Sequence, residues 1–328
     1  MKVKILGLGH ALPDKILSNK DLEMMVDTSD EWIKERTGIS ERRIGEKDIT
    51  TSDLCEKAAH HALLKAGVKP EELGLIVVAT VTPDMLFPST SCIVQDKLGA
   101  YNAAAFDLGA GCTGFVYALS MAEKFLLAST HKYALVIGAD MLSRITDYTD
   151  RSTCILFGDG AGAAVLGKEE GECGIIATYL GADGGGAGLL YMPAGGAKLP
   201  PSEETVKNRL HYIKMNGNEV FRFATRIMGT VSDKLIKMAG ITYEEIDYFV
   251  PHQANIRIIQ TAMKKMDIGE EKTIINLERL GNMSAASVPV AMSEADEAGK
   301  FKEGDLILTV AFGAGLTFGG ALIKWGRG

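Results

Sequence analysis

Three side chains able to do chemistry stand far apart in the chain, each among small residues. Cys112 lies in "DLGAGCTGF" (Asp107 to Phe115), His252 in "VPHQANIRII" (Val250 to Ile259) and Asn282 in "LGNMSAASVP" (Leu280 to Pro289). After Cys112, apolar Phe115, Val116, Leu119, Ala122 and Phe125 follow helical spacing, which puts the thiol at or near a helix N-terminus. The helix dipole and free N–H groups there favour negative charge, which lowers a thiol pKa and makes a nucleophile. Gly109, Gly111 and Gly114 let the chain turn sharply and let a substrate approach. A tight strand-to-helix turn around a buried thiol fits the same residues.

His252 falls where an apolar strand gives way to a loop, a place that also suits an ordinary hydrogen-bonded histidine. Asn282, in a small-residue loop before a helix, also suits a turn or an N-cap. A fourth segment, "AFGAGLTFG" (Ala311 to Gly319), ends an apolar strand in glycines. They make a turn, or they present backbone N–H groups to a developing oxyanion. "FGDGAGAAVLG" (Phe157 to Gly167) invites a nucleotide-loop reading, but its glycines run into a strand-like stretch instead of opening a helix. The five cysteines are odd in number and include no CxxC pair, which argues against a disulfide framework or structural zinc. His60 and His61 are adjacent on a helix and diverge, so no metal site is expected.

Elements that would position these residues alternate along the chain. Strands are predicted over Lys2 to Gly9, Leu73 to Val81, Tyr133 to Asp140, Gly162 to Gly167, Asp247 to Ala254 and Asp305 to Gly315. Helices are predicted over Thr51 to Ala66, Ser89 to Leu98, Thr113 to Ala128, Asn218 to Met238 and Ala285 to Ala298. Such alternation predicts an α/β protein with a mainly parallel central sheet. "KPEELGLIVVATVTPD" and "ITYEEIDYFVPHQAN" each run from an acidic helix end into a strand and a loop. They mark two related halves meeting near residue 170 and packed into one body. With 328 residues, 46% of them hydrophobic, the chain has ample material for a large core. The net charge of −7 argues against general affinity for nucleic acid or acidic membranes. No apolar run approaches the roughly 20 residues that span a bilayer. "MKVKILGLGHALPD" lacks the long apolar region and cleavage site of a signal peptide. A soluble, cytoplasmic protein is expected.

"DLGAGCTGF", "VPHQAN" and "LGNMSAAS", in this order and at these separations, resemble the ketoacyl-acyl carrier protein synthase III family, the condensing enzymes that start fatty acid synthesis. "TSDEWIKERTGISERR" (Thr28 to Arg43), "FGDGAGA" and "GNEVF" (Gly217 to Phe221) extend the resemblance over essentially the whole chain. The resemblance implies a thiolase-like fold: two pseudo-repeated α/β halves, 1–170 and 171–328, in a five-layered αβαβα arrangement, assembled as a homodimer. It implies that Cys112 takes the acyl group of a short acyl-CoA and passes it to malonyl-acyl carrier protein after decarboxylation, with no cofactor and no metal. His252 and Asn282 would steady the enolate oxygen. Backbone N–H groups of Cys112 and Ala314 would hold the second oxyanion; many relatives carry glycine at the latter position, and a negative φ would let alanine serve.

By the same resemblance, Trp32, Arg36 and Arg151 match positions that bind coenzyme A, and Thr28, Phe221 and Asn255 match positions along its channel. Phe87, in "TPDMLFPST", matches the residue that reaches the neighbouring subunit's acyl pocket, where a large ring implies an acetyl or similarly short primer. Arg257, Lys264 and Lys265 (257 + 7 and 257 + 8) share one helix face. With Arg222 they form the expected landing face for the acidic carrier protein. The alternatives are a condensing enzyme of secondary metabolism with the same three residues, and a catalytically inactive dimer partner.

Overall fold

Local signals set most element ends. In the helix Thr51–Ala66, the Thr50 hydroxyl accepts from Asp53 N–H while the Asp53 carboxylate accepts from Thr50 N–H, and the helix closes on Gly67. The helix Gly217–Ala239 opens on the Asn216 side chain and closes on Gly240. In the computed structural model, which describes residues 1–326, the longer elements follow in this order: β1 (Lys2–Ala11), α1 (Asp30–Thr37), α2 (Thr51–Ala66), β2 (Leu73–Ala79), α3 (Thr90–Leu98), β3 (Ala104–Leu108), α4 (Gly114–Ala128), β4 (Tyr133–Met141) and β5 (Asp159–Glu169). The chain continues through β6 (Gly174–Ala182), α5 (Gly217–Ala239), β7 (Tyr248–Pro251), α6 (Ile256–Met266), α7 (Ser287–Glu297), β8 (Leu306–Gly313) and β9 (Thr317–Lys324).

Two sheets form. The first has the order β1-β5-β4-β2-β3 and the second β6-β9-β8-β7. Read from β1 and β6, they share a pattern: an outer strand, an antiparallel neighbour, then parallel strands toward the far edge. The predicted single, mainly parallel sheet is therefore corrected to two mixed sheets. A parallel return needs a crossover of a dozen or more residues, usually a helix. Between β8 and β9 the chain has three residues, which forces an antiparallel return; between β4 and β5 it holds only two single helical turns (Leu142–Ile145 and Arg151–Cys154) and no crossover helix, and that pair is antiparallel as well.

Period-2 alternation assigns the layers. In β2, Leu75 and Val77 face the core between the sheets with Phe115 and Leu119 of α4, Val288 and Met292 of α7, and Ile307 of β8. Ile76 and Val78 face the opposite way, onto Leu54 and Ala58 of α2 and Val94 of α3. On the far side of the second sheet, Leu308 and Val310 pack against Val231 and Leu235 of α5 and Ile259 of α6. The result is five layers, αβαβα, with α4 and α7 in the middle. Those two central helices carry the loops of Cys112 and Asn282 at their starts. Among the described residues, no helix is long and apolar enough to cross a membrane.

Candidate active site

Each central helix is entered through a short 3-10 turn, Gly111–Thr113 before α4 and Ser284–Ala286 before α7. Cys112 sits in the first. Asn282 stands just before the second, tied by its N–H to Leu156 C=O at 2.8 Å and by its C=O to Gly158 N–H at 3.0 Å. His252 follows β7, its N–H continuing the pairing to Val310 C=O at 2.9 Å. Gln253 is consumed by structure: its amide donates to Pro251 and Ile274 C=O and accepts from Asn276 N–H. Three distant segments thus converge, and Cys112, His252 and Asn282 line one cavity with Phe221 and Asn255.

Cys112 also lines a second cavity, of about 160 Å³, with Ser284, Ala314 and apolar Val81, Leu142, Phe157 and Ile213. The thiol stands at the junction of the two. Water occupies about 30 Å³ per molecule, so this space suits a short apolar group. Part of its wall, Leu190 and Tyr191, comes from a two-residue strand paired with Lys214–Met215. Sequence reading missed that wall, because strands so short leave no periodic signal.

The backbone around the thiol is closely apposed to the β8–β9 turn. Gly111 has φ +54°, and a Cβ there would lie 2.9 Å from Ala314 N. A Cβ on Gly313 would lie 2.5 Å from Cys112 N. These glycines let the backbones at Cys112 and Ala314 approach closely. Positive φ outside glycine occurs, among the described residues, at Arg209, Asp267 and Ser284. Ala314 therefore meets the condition that lets alanine replace glycine there. A Cβ on Gly109 meets no atom of the described residues within 4 Å, so packing in this chain does not require glycine there.

His252 is 1% exposed, and burial lowers its imidazole to about 3, so the ring is neutral. The edge of Phe312 packs against it at 5.3 Å between centroids. The Asn282 Oδ1 accepts from Ser284 N–H at 2.8 Å, which leaves the Asn282 amide NH2 for the cavity. Burial pushes the Cys112 thiol up to about 12, against the pull of the Ser284 hydroxyl. That is opposite to the direction expected from the helix start alone, because removing the thiolate from water costs more than the nearby hydrogen bonds return. Ser284, in the left-handed region at φ +49°, also works against the burial that raises the Asp140 carboxyl. Asp140 further accepts from Thr80, Val81, Thr82 and Ala285. Ser284 is a site residue that its sequence context did not single out.

The remaining predicted residues form separate groups. Arg36 and Arg151 both approach the Trp32 ring, at 5.9 and 5.0 Å from its centroid. Asn255 caps α6 through Arg257 N–H and donates to Arg36 C=O at 2.9 Å, joining this group to the cavity. The Thr28 hydroxyl is buried without a hydrogen-bond partner among the described residues. Arg257 lies over the Phe221 ring at 5.6 Å, and Lys264 is exposed. Lys265 pairs with Asp233 at 3.2 Å, and Arg222 with Glu219 at 2.7 Å. Phe87 is 85% exposed and does not line this chain's own cavities at Cys112. No cluster of metal-ligating side chains occurs among the described residues.

Two family models match the chain: 3-oxoacyl-[acyl-carrier-protein (ACP)] synthase III over residues 106–184, and its C-terminal counterpart over residues 236–325. The chain is 65% identical over 327 residues to the beta-ketoacyl-[acyl-carrier-protein] synthase III of Syntrophomonas wolfei, covering 100% of this chain and 98% of the relative. It belongs to the beta-ketoacyl-[acyl-carrier-protein] synthase III family. The family member from Caldanaerobacter subterraneus is 55% identical, over 98% of both chains. The crystal structure of the synthase III from Aquifex aeolicus superposes with a TM-score of 0.91 at 46% identity, covering 98% of this chain and 100% of that one. The thiolase-like fold of the synthase III family is thereby shown, and the chain is an acyltransferase condensing enzyme.

Proposed function

We propose that Cys112, His252 and Asn282 carry the condensation of a short acyl-CoA, acetyl-CoA in the first place, with malonyl-acyl carrier protein. The single observation that supports this most is their convergence on one cavity, with the Cys112 thiol at its junction with an apolar pocket. Cys112 Sγ attacks the thioester carbonyl; the bond to coenzyme A breaks, and coenzyme A leaves with the thiol's proton. Malonyl-acyl carrier protein then enters. Its C–C bond to the carboxylate breaks, CO2 leaves, and the electron pair forms an enolate. His252 and Asn282 donate to that enolate oxygen. The carbon attacks acyl-Cys112, the N–H groups of Cys112 and Ala314 hold the tetrahedral oxyanion, and its collapse breaks the bond to Cys112 Sγ, releasing acetoacetyl-acyl carrier protein and a Cys112 thiolate that takes a proton from solvent. Product formation from acetyl-CoA and malonyl-acyl carrier protein tests the reading; no condensation with any short primer overturns it.

His252 acts as a neutral donor, so decarboxylation should show no histidine-dependent acid limb near pH 6.5. A group held at about 3 stays neutral as pH falls to roughly 4. A loss of rate centred between pH 6 and 7 that vanishes in His252→Gln contradicts the neutral-donor role.

Coenzyme A enters past Trp32, Arg36 and Arg151: the indole and Arg151 take the adenine between them, Arg36 engages phosphate, and Thr28, Phe221 and Asn255 line the arm's path. Trp32→Ala should raise KM for acetyl-CoA by about 10-fold through lost stacking, with a smaller change in kcat. An unchanged KM removes Trp32 from the coenzyme A site. The exposed face of Arg257 and Lys264 beside the cavity mouth, with Arg222 and the paired Lys265, receives the acidic carrier protein. The exposed Leu86, Phe87 and Tyr101, beside the open edge strand β3 with Phe106, support a homodimer in which Phe87 closes the partner's acyl pocket. The two halves, 1–170 and 171–328, then divide the labour: nucleophile in the first, enolate donors in the second. This reading makes the protein a cytoplasmic enzyme that needs no metal or other cofactor.

A further inference from the structure

His252 can donate to the enolate only if its proton sits on the ring nitrogen facing the cavity. A neutral imidazole carries one proton, and the hydrogen bond at the other nitrogen decides where it resides. The Nδ1 of His252 lies 2.6 Å from Ser287 Oγ, and both residues are buried. Ser287 is the first residue of α7, five positions beyond Asn282 (287 − 282). Its hydroxyl oxygen also accepts from Gln253 N–H at 3.4 Å.

Counting donors settles the direction. Gln253 N–H can only donate, so it uses one lone pair of Ser287 Oγ. Were Nδ1 also protonated, the oxygen would receive two donors, and its own proton would need a separate acceptor. Ser232 has such an acceptor, bonding back to Met228 C=O at 2.9 Å. Among the described residues, Ser287 has no comparable carbonyl partner. With the proton on Nε2 instead, the Ser287 hydroxyl donates to the Nδ1 lone pair, both of those groups are satisfied, and the Nε2–H is left for the cavity.

We propose that Ser287 is a positioning residue that fixes His252 in the Nε2–H tautomer, so that His252 donates into the cavity beside the Asn282 amide. This rests on the reading that His252 steadies the enolate. The two serines of "NMSAAS" then orient one donor each: Ser284 N–H holds Asn282 Oδ1, and Ser287 Oγ holds His252 Nδ1. Both supports are built into the start of one central helix. A mere packing role for Ser287 would affect all steps alike; a tautomer role affects the malonyl half-reaction.

The test uses the full chain with ¹⁵N-labelled histidine, and measures the two half-reactions separately. NMR of the unmodified protein, with His252→Gln to assign the signal, should show an unprotonated Nδ1 accepting a hydrogen bond. Ser287→Ala should lower malonyl-acyl carrier protein decarboxylation by about 10-fold, less than the roughly 100–1,000-fold for losing an oxyanion donor outright. Acetyl transfer to Cys112 should stay within about 2-fold, since no step there needs the His252 donor. Ser287→Thr, which keeps the hydroxyl, should restore decarboxylation. A proton on Nδ1 in the unmodified protein overturns the proposal even if Ser287→Ala fails to fold. So does full decarboxylation by Ser287→Ala in an enzyme that His252→Ala inactivates. If His252→Ala itself decarboxylates normally, the enolate role of His252 falls, and the tautomer role with it.

Discussion

Replacing His252 with alanine should lower malonyl-acyl carrier protein decarboxylation by roughly 100–1,000-fold, while acetyl transfer from coenzyme A to Cys112 continues at nearly its normal rate. The enolate oxygen gains negative charge in a buried site where water cannot follow it, so fixed N–H donors act with little competition. His252 is neutral and buried, and its ring is held by Ser287 and Phe312, so it does not reorganise as charge develops. Asn282→Ala should have an effect of similar size, because its Oδ1 is occupied by Ser284 N–H and its NH2 is the group facing the cavity. The double variant should lose little more than the larger single loss if the two act as a unit. The measurement is CO2 release from malonyl-acyl carrier protein, beside burst acylation by acetyl-CoA. Equal losses in both half-reactions would instead assign the pair to acyl transfer.

Gly313→Ala should suppress acetyl transfer to Cys112 and the final condensation by 100-fold or more, whereas Gly109→Ala, three residues before the nucleophile, should be tolerated. The added Cβ at Gly313 would lie 2.5 Å from Cys112 N and 3.1 Å from Cys112 Cα. Those are backbone atoms that cannot rotate away, so the end of β8 must retreat from the Cys112 turn. The retreat would separate the two N–H groups proposed to hold the tetrahedral oxyanion, and losing one such donor alone costs about 100–1,000-fold. Overpacking of this kind also lowers stability by about 1–3 kcal/mol. At Gly109 the same methyl meets open space. Steady-state kinetics and a thermal melt on the two variants check the contrast. An active Gly313→Ala enzyme would show that the apposition of β8 and Cys112 is not needed.

The contrast between these two glycines shows what was legible in the sequence. "DLGAGCTGF" and "AFGAGLTFG" present their glycines alike, yet only the packed structure separates Gly111 and Gly313, which hold two backbones together, from Gly109, which does not. His252 and Asn282 were legible only in the ordered set with "DLGAGCTGF", because a strand end and a loop before a helix are also ordinary places for a histidine and an asparagine. Helix α2 was also legible to the residue, since its capping box and closing glycine are adjacent in sequence. Long-range information was less accessible. The strand β3, "AAFDL", lies half-exposed at a sheet edge and lacks alternation, and β9, "TFGGALIK", is interrupted by glycines. Strand direction depended on what the connections failed to contain. The Cys112 pKa illustrates the same limit: a helix start can be read from periodicity, but the burial that pushes the thiol the other way involves residues as distant as Ala314, 202 positions along the chain (314 − 112).

The most direct test of the account is the position of the acyl group itself. After incubation with acetyl-CoA alone, without carrier protein, mass spectrometry of the protein and its peptides should find one acetyl group, on the peptide bearing Cys112. Malonyl-acyl carrier protein should then discharge it as acetoacetyl-acyl carrier protein. In Cys112→Ala the adduct should be absent. An acetyl group on another residue, or one that persists in Cys112→Ala, contradicts the assignment of Cys112 as the nucleophile.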